Sequence, residues 1–390
     1  MDVIIRTKTL LIIYLLTVFY ALSYGIPLYA TSSYLSHYIN SGSISLIFML
    51  GSVATLIFAI HFTAYLHRYH TYRFISLVLI TEILSMFAFA FSSNIIIISI
   101  FFVIHLCLSA IIYSILSIFL EMMTPHTEMG IARGLFSMII GICLIVSPLI
   151  GSVLITFTGY RTMFIVSALI LLPFIFLLKK YFANMKEPTY RGLNTFKITR
   201  VAWRNKNLRG IMVGIFLVNV FYSIMIIYLP LYLTDIGVSL SSYLSFIVPI
   251  SLIPFILLPY EIGFLADKKW GEKEMLIFGL IVLSIATLSM AIITSTSIFV
   301  WIVVLLIARI GAVFVDTMTA TYFYKKIKAE DASLVMISSS IIPALSMVIV
   351  GFLGTILFPI LSTHPGVIFI LLGTMSLLGV SYILPIKDTR

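Results

Sequence analysis

Polar residues in this chain punctuate rather than alternate. Between them run long apolar stretches, at about 9–31, 43–66, 74–92, 95–122, 133–157, 162–182, 209–234, 239–264, 275–294, 297–324, 333–360 and 365–385. A membrane-spanning helix needs roughly 20 predominantly apolar residues, and each stretch comes close to that length or exceeds it. A membrane β-barrel would read as short alternating segments of about ten residues. These runs are continuous, so the pattern predicts helices, which satisfy their own backbone hydrogen bonds where no water is present. The expectation is an all-α integral membrane protein with twelve transmembrane helices, numbered below as spans one to twelve.

Composition sharpens this. Of the 390 residues 61% are hydrophobic and 10% charged, with a mean hydropathy of +1.18. Soluble proteins carry roughly 45–50% apolar and about 25% charged residues, so a soluble enzyme is excluded. Cys107 and Cys143 both lie inside apolar runs, which supports neither a disulfide framework nor a cysteine metal site. The run from Leu10 to Leu28 outlasts a signal-peptide core and has no small-residue cleavage site, so it reads as a retained first span. There is no P-loop to support ATP-driven pumping. No HExxH or Ser/His/Asp constellation is present either, and the reading is that the chain is not an enzyme and needs no metal or cofactor beyond a proton gradient.

Charge orders the spans. With the N-terminus inside, every Lys and Arg except Arg161 and Arg309 falls in an inside segment. Cytoplasmic loops are enriched in these residues, so both termini are expected in the cytoplasm of a multi-pass protein of the cell (plasma or inner) membrane. The net charge of +10 then follows from topology and calls for no nucleic acid. The loop from Lys179 to Arg209 has one acid, Glu187, among its many basic residues. It divides the chain into a bundle at 1–182, a linker at 183–208 and a bundle at 209–390. The stretch around Trp203 reads either as a short helix on anionic inner-leaflet lipid or as a flexible basic tether. The halves also repeat. Phe19-Tyr20 and Pro27-Leu28-Tyr29 in span one return as Phe221-Tyr222 and Pro230-Leu231-Tyr232 in span seven, the signature of parallel six-helix repeats.

Between spans eight and nine stands Gly263-Phe264-Leu265-Ala266-Asp267-Lys268-Lys269-Trp270-Gly271-Glu272-Lys273. It resembles the G-x-L-A-D-R-x-G-R-[RK] loop of the major facilitator superfamily. With the twelve spans, the central basic loop and the repeat, the resemblance covers the whole chain. It implies two six-helix bundles that expose a central cavity alternately. In this reading Gly263 allows close helix approach and Gly271 a tight turn, Lys268 faces the cytosol, and Asp267 caps the start of span five beside Arg133. An ordinary solvated loop is the other reading. The matching first-half loop lacks the Asp and the glycines: His67 stands at the Asp position, followed by Arg68, and the facing helix start is preceded by Glu330-Asp331. That suggests a gate of inverted charge in which basic residues meet Asp331. Span five carries Gly134, Cys143, Ser147, Pro148 and Gly151. This resembles the G-x8-G-x3-G-P-x2-G-G motif of the superfamily's drug:proton antiporters; it also reads as plain small-residue packing.

Charges placed mid-membrane cost roughly 2.5–3.5 kcal/mol each on insertion scales and usually mark function. The candidates are Glu82 in span three, His105 in span four, and Arg309 and Asp316 in span ten, with His61 a weaker one. Arg309 and Asp316 are seven residues apart and share a helix face, about 10 Å apart along the axis. They form either a cavity-facing pair that binds substrate or protons, or a buried structural pair. Tyr20, Tyr24, Tyr29, Tyr222 and Tyr228 lie on the first helix of each half, where the resemblance implies a cavity wall; Tyr24 and Tyr228 are taken as lining residues. Tyrosine suits stacking and hydrogen bonding, and also anchors helices at interfaces. Few amides accompany these rings, which favours amphipathic or lipophilic cargo over sugars. The expectation is a monomeric secondary transporter of a small organic molecule, working by proton-coupled export. A nutrient symporter or uniporter of the same fold, and a transport-incompetent sensor or scaffold, are the alternatives.

Overall fold

In the computed structural model, described for residues 2–68, 71–124, 129–182, 200, 203–326 and 340–387, helices make up the regular structure and no strand occurs among the described residues. Side chains at 2–8, 62–68, 71, 129–130, 267 and 323–326 lie outside the description. Nine helical segments among the described residues are long and apolar enough to cross a membrane, and two shorter apolar helices, Ile342–Ile356 and Val367–Ile383, follow. One segment, Ile131–Phe182, has 52 residues, about 78 Å if straight at 1.5 Å per residue. That is more than twice the roughly 30 Å of a bilayer core. It turns at Gly159, whose φ of 83° is one that a side chain would resist, and this turn separates spans five and six. The segments account for the twelve predicted spans.

Span four shows why such a sequence makes a helix. Asn94 caps it, its Oδ1 accepting from the Ile96 N–H at 2.9 Å, which satisfies one of the orphan donors of the first turn. Ile98, Phe102, His105, Ser109, Ile112, Leu116 and Phe119 recur every three or four residues, and all are buried. They form the packed stripe of a 3.6-residue repeat. Span eight departs from its prediction of one continuous helix. It is a π-turn at Tyr243–Ile247 followed by short helices Val248–Leu252, Pro254–Leu257 and Pro259–Lys268. Pro249, Pro254 and Pro259 each remove a backbone donor, and a proline inside a helix breaks the ladder. Spans one and seven break alike. Asp2–Leu28 gives way to Thr31–Ser36, and Lys206–Ile227 to Leu229–Asp235, near the repeated Pro27 and Pro230. Span eleven is described from 340 onward, so its predicted first turns lie outside the described residues.

The chain forms two compact units. The first comprises residues 1–34 and 50–192, the second residues 35–49 and 193–390. The start of span two therefore groups with the second unit, whereas the sequence pattern assigned all of 1–182 to one bundle. Within the first unit, spans one and five meet closely: a Cβ on Gly151 would stand 2.7 Å from the Ile26 carbonyl oxygen, and one on Gly25 2.6 Å from Ser147 Oγ. Within the second, Gly279 and Gly311 bring spans nine and ten together, each facing the other's carbonyl oxygen. Small residues permit such approach where helix association relies on packing.

Candidate functional site

In the first unit, Glu82 and His105 meet. Glu82 Oε1 lies 2.6 Å from His105 Nδ1, and the residues are only 3% and 5% exposed. That distance is a hydrogen bond's, with either the imidazole N–H or the carboxyl O–H as the donor. Ser109 Oγ is 3.4 Å from both and donates at 2.7 Å to the His105 carbonyl oxygen. Glu82 Oε2 is buried without a hydrogen-bond partner. Rings of Tyr24, Phe89 and Phe102 surround the imidazole, with centroids at 6.5, 5.9 and 6.3 Å. Tyr20 stacks on Tyr24 at 5.9 Å, and its hydroxyl donates to the Ser109 carbonyl oxygen at 2.9 Å. A carboxyl and an imidazole together can hold two protons, one or none, with net charge +1, 0 or −1.

The sequence marks Glu82 and His105 singly and does not by itself pair them. The signal was present in the hairpin. Thr71–Phe91 and Ile95–Met123 are joined by the short turn Ser92-Ser93-Asn94. Glu82 and His105 each stand about ten residues from it, roughly 15 Å at 1.5 Å per residue. Antiparallel neighbours at equal depth are placed to touch, and that depth is the middle of a bilayer core of roughly 30 Å.

In the second unit, Arg309 is 4% exposed. Its guanidinium carbon lies 5.2, 5.7 and 5.9 Å from the ring centroids of Phe221, Tyr222 and Phe255. These rings come from span seven and from the short helix between Pro254 and Pro259 in span eight. Arg309 Nε is buried with no acceptor, and no carboxylate among the described residues lies within ion-pair distance of the guanidinium. Asp316 shares the Arg309 face, away from the exposed apolar stripe of Phe299, Val303 and Ile307, and its side chain is exposed. The two do not pair. At about 10 Å and an effective dielectric constant of about 20, their attraction is on the order of 1–2 kcal/mol. The structural-pair reading of the sequence is thus corrected: two helical turns hold the charges too far apart.

The other candidates scatter. Tyr228, expected to line a cavity, is buried, and its hydroxyl is 2.7 Å from Ser45 Oγ within the second unit. It packs so tightly on span eleven that a Cβ on Gly354 would clash with its hydroxyl oxygen. Arg133 pairs with Glu121 of span four. Gly134 and Gly263 have open space where a Cβ would go. The close approach expected of them is not made among the described residues. Gly151 does make such an approach, and Pro148 is buried inside its helix. Gly271 caps span nine at φ −92°, its N–H donating to Glu274 Oε2 at 3.2 Å. Its role is a cap, not a turn that only glycine can make. Lys268 is exposed, with Nζ 4.3 Å from the Phe264 ring centroid. His61 is exposed and donates to the Ile57 carbonyl oxygen at 2.9 Å. The side chains of His67, Arg68, Asp267 and Asp331 lie outside the described residues, as does most of the central basic loop. Among the described residues, no three His, Cys, Asp or Glu side chains gather as a metal site would require.

Comparison with known proteins agrees with this architecture. A crystal structure of a bacterial homologue of the human lysosomal transporter Spinster, in an inward-facing and unoccupied conformation, is similar with a TM-score of 0.70. The match covers 97% of this chain and 95% of that one at 14% identity, a likeness of fold. No curated protein sequence matches. The sequence profile of the Major Facilitator Superfamily matches residues 13–347. The chain is therefore a multi-pass membrane protein with the fold of a secondary transporter, not an enzyme, and it belongs to the major facilitator superfamily.

Proposed function

We propose that this protein moves a small amphipathic organic molecule across the cell membrane in exchange for protons, with Glu82 and His105 as the proton site. The observation that carries this reading is the 2.6 Å contact between the two in an apolar box, with Glu82 Oε2 left unpartnered. A carboxylate and an imidazole in mid-membrane are expensive to place there. A purely structural role would favour apolar side chains, because well-packed hydrophobic residues replace buried ion pairs at no loss of stability. A proton site needs what this pair has: two groups that can each carry a proton, in contact with each other and buried. The span-five series Ser147, Pro148 and Gly151, close against span one, supports export through its resemblance to the antiporter motif. The basic stretch at 183–208 then rests on anionic inner-leaflet lipid, with both termini on that side.

The test uses the full chain in proteoliposomes carrying a pH-sensitive dye. A panel of decyl compounds with anionic, zwitterionic and cationic head groups is offered against an imposed pH gradient. At least one class should drive proton flux in the wild type. Glu82→Gln should keep exchange of that compound and lose the coupled proton flux. Unchanged coupling in Glu82→Gln would overturn the assignment, and no flux with any class would contradict proton-coupled transport of such cargo.

A further inference from the structure

We infer that Arg309, caged by Phe221, Tyr222 and Phe255, binds the anionic group of the cargo, which makes the cargo an amphipathic organic anion bearing a carboxylate or phosphate. The argument begins with what the guanidinium lacks. Arginine stays charged at any working pH and presents five N–H donors in one plane. Here it is 4% exposed, Nε has no acceptor, and no acid among the described residues comes within ion-pair range. Buried charges are ordinarily paired. The three rings explain how this one is tolerated, since aromatic faces attract a cation. Rings stacked on a guanidinium leave its N–H edge unused, however, and that edge matches a carboxylate or phosphate in a bidentate way.

The repeat points to the same conclusion. The offset that carries Leu84-Ser85-Met86 of span three onto Leu288-Ser289-Met290 of span nine carries His105 onto Arg309 and Glu82 onto Ala286. The first unit has an imidazole and its acid in these places. The second keeps a permanent cation and has a methyl group where the acid would be. An incoming anion supplies the missing partner, and the apolar rings around it suit an amphipathic tail.

The inference rests on the transport reading only in calling the ligand cargo. Its test is binding, which needs neither a gradient nor the Glu82–His105 pair. Thermal stability of the purified full chain in neutral detergent is measured with decanoate, decyl phosphate and decyltrimethylammonium below their micellar concentrations, and with inorganic phosphate and chloride. The expected result is stabilisation by decanoate or decyl phosphate, none by the cation of equal chain length, and none by the inorganic anions. Arg309→Gln should weaken the effect by about tenfold or more, and Arg309→Lys, which keeps the charge without the planar fork, should retain part of it. Equal stabilisation by the cation, or an unchanged response in Arg309→Gln, would overturn the inference. Inorganic phosphate or chloride matching the decyl anions would also overturn it, because the site would then hold a resident counter-ion. If Arg309→Gln fails to fold, Arg309→Lys alone decides, through a weakened or an unchanged response to decanoate.

Discussion

The two units carry different charges at matching places. In the first, Glu82 and His105 answer each other across 2.6 Å. In the second, Arg309 stands in a ring of aromatics, and Ala286 occupies the place of the acid. Both centres are buried and both sit on the helix pair formed by the third and fourth spans of their repeat. One pairs an acid with an imidazole; the other holds a fixed charge with no acid among the described residues within ion-pair distance. A repeat that had diverged by neutral packing drift would have lost its ionisable groups on both sides, since each is costly in a membrane. On the reading proposed above, the retained difference is a division of labour: protons at one centre, an anion at the other.

The comparison can be broken most severely at His105. His105→Leu leaves Glu82 buried without its imidazole partner, and stripping one member of a buried pair typically removes about 3–5 kcal/mol. Unfolding in detergent should register a loss of that order, and Glu82→Gln added to the same variant should recover most of it. The matching glycines of spans five and eleven sharpen the comparison of packing. Gly151→Ala meets the Ile26 carbonyl oxygen at 2.7 Å, backbone that cannot swing away. It should destabilise by about 1–3 kcal/mol, as overpacking does, by the same assay. Gly354→Ala meets the end of the Tyr228 side chain and should break its contact with Ser45, visible as a smaller fall in thermal stability. Making the units alike is the next test. Ala286→Glu should give Arg309 an internal partner and weaken decanoate binding by about tenfold, roughly 1.4 kcal/mol. The smallest effect belongs to Gly134→Ala, where a Cβ meets nothing within 4 Å. Unfolding should show no loss, and a gain of up to about 1 kcal/mol.

The fold was largely legible because a membrane imposes length and hydropathy on every span, and charge placement numbers the loops. What resisted reading was backbone irregularity inside a span. Three prolines five residues apart divide span eight, and no hydropathy average registers a missing N–H. The grouping of residues 35–49 with the second unit was equally silent, because apolar helices look alike whichever neighbour they choose. At the site, the expensive residues Glu82, His105, Arg309 and Asp316 were visible one by one, since charge in an apolar run stands out. Their pairing was not. Asp316 and Arg309 drew attention by sharing a helix, yet the partnership formed is the one across the Ser92–Asn94 hairpin. The partner of Tyr228 was equally silent: a buried hydroxyl seeks a partner, and Ser45 lies far away in sequence.

The division of labour is tested most directly by separating its two halves in one preparation. Decanoate stabilisation and the pH titration of the buried carboxyl infrared band are measured side by side for wild type, Glu82→Gln and Arg309→Gln in lipid nanodiscs. The account predicts that Glu82→Gln loses the titrating band and keeps decanoate binding, whereas Arg309→Gln keeps the band and loses the binding. Retention of the band in Glu82→Gln, or undiminished decanoate binding in Arg309→Gln, would contradict it.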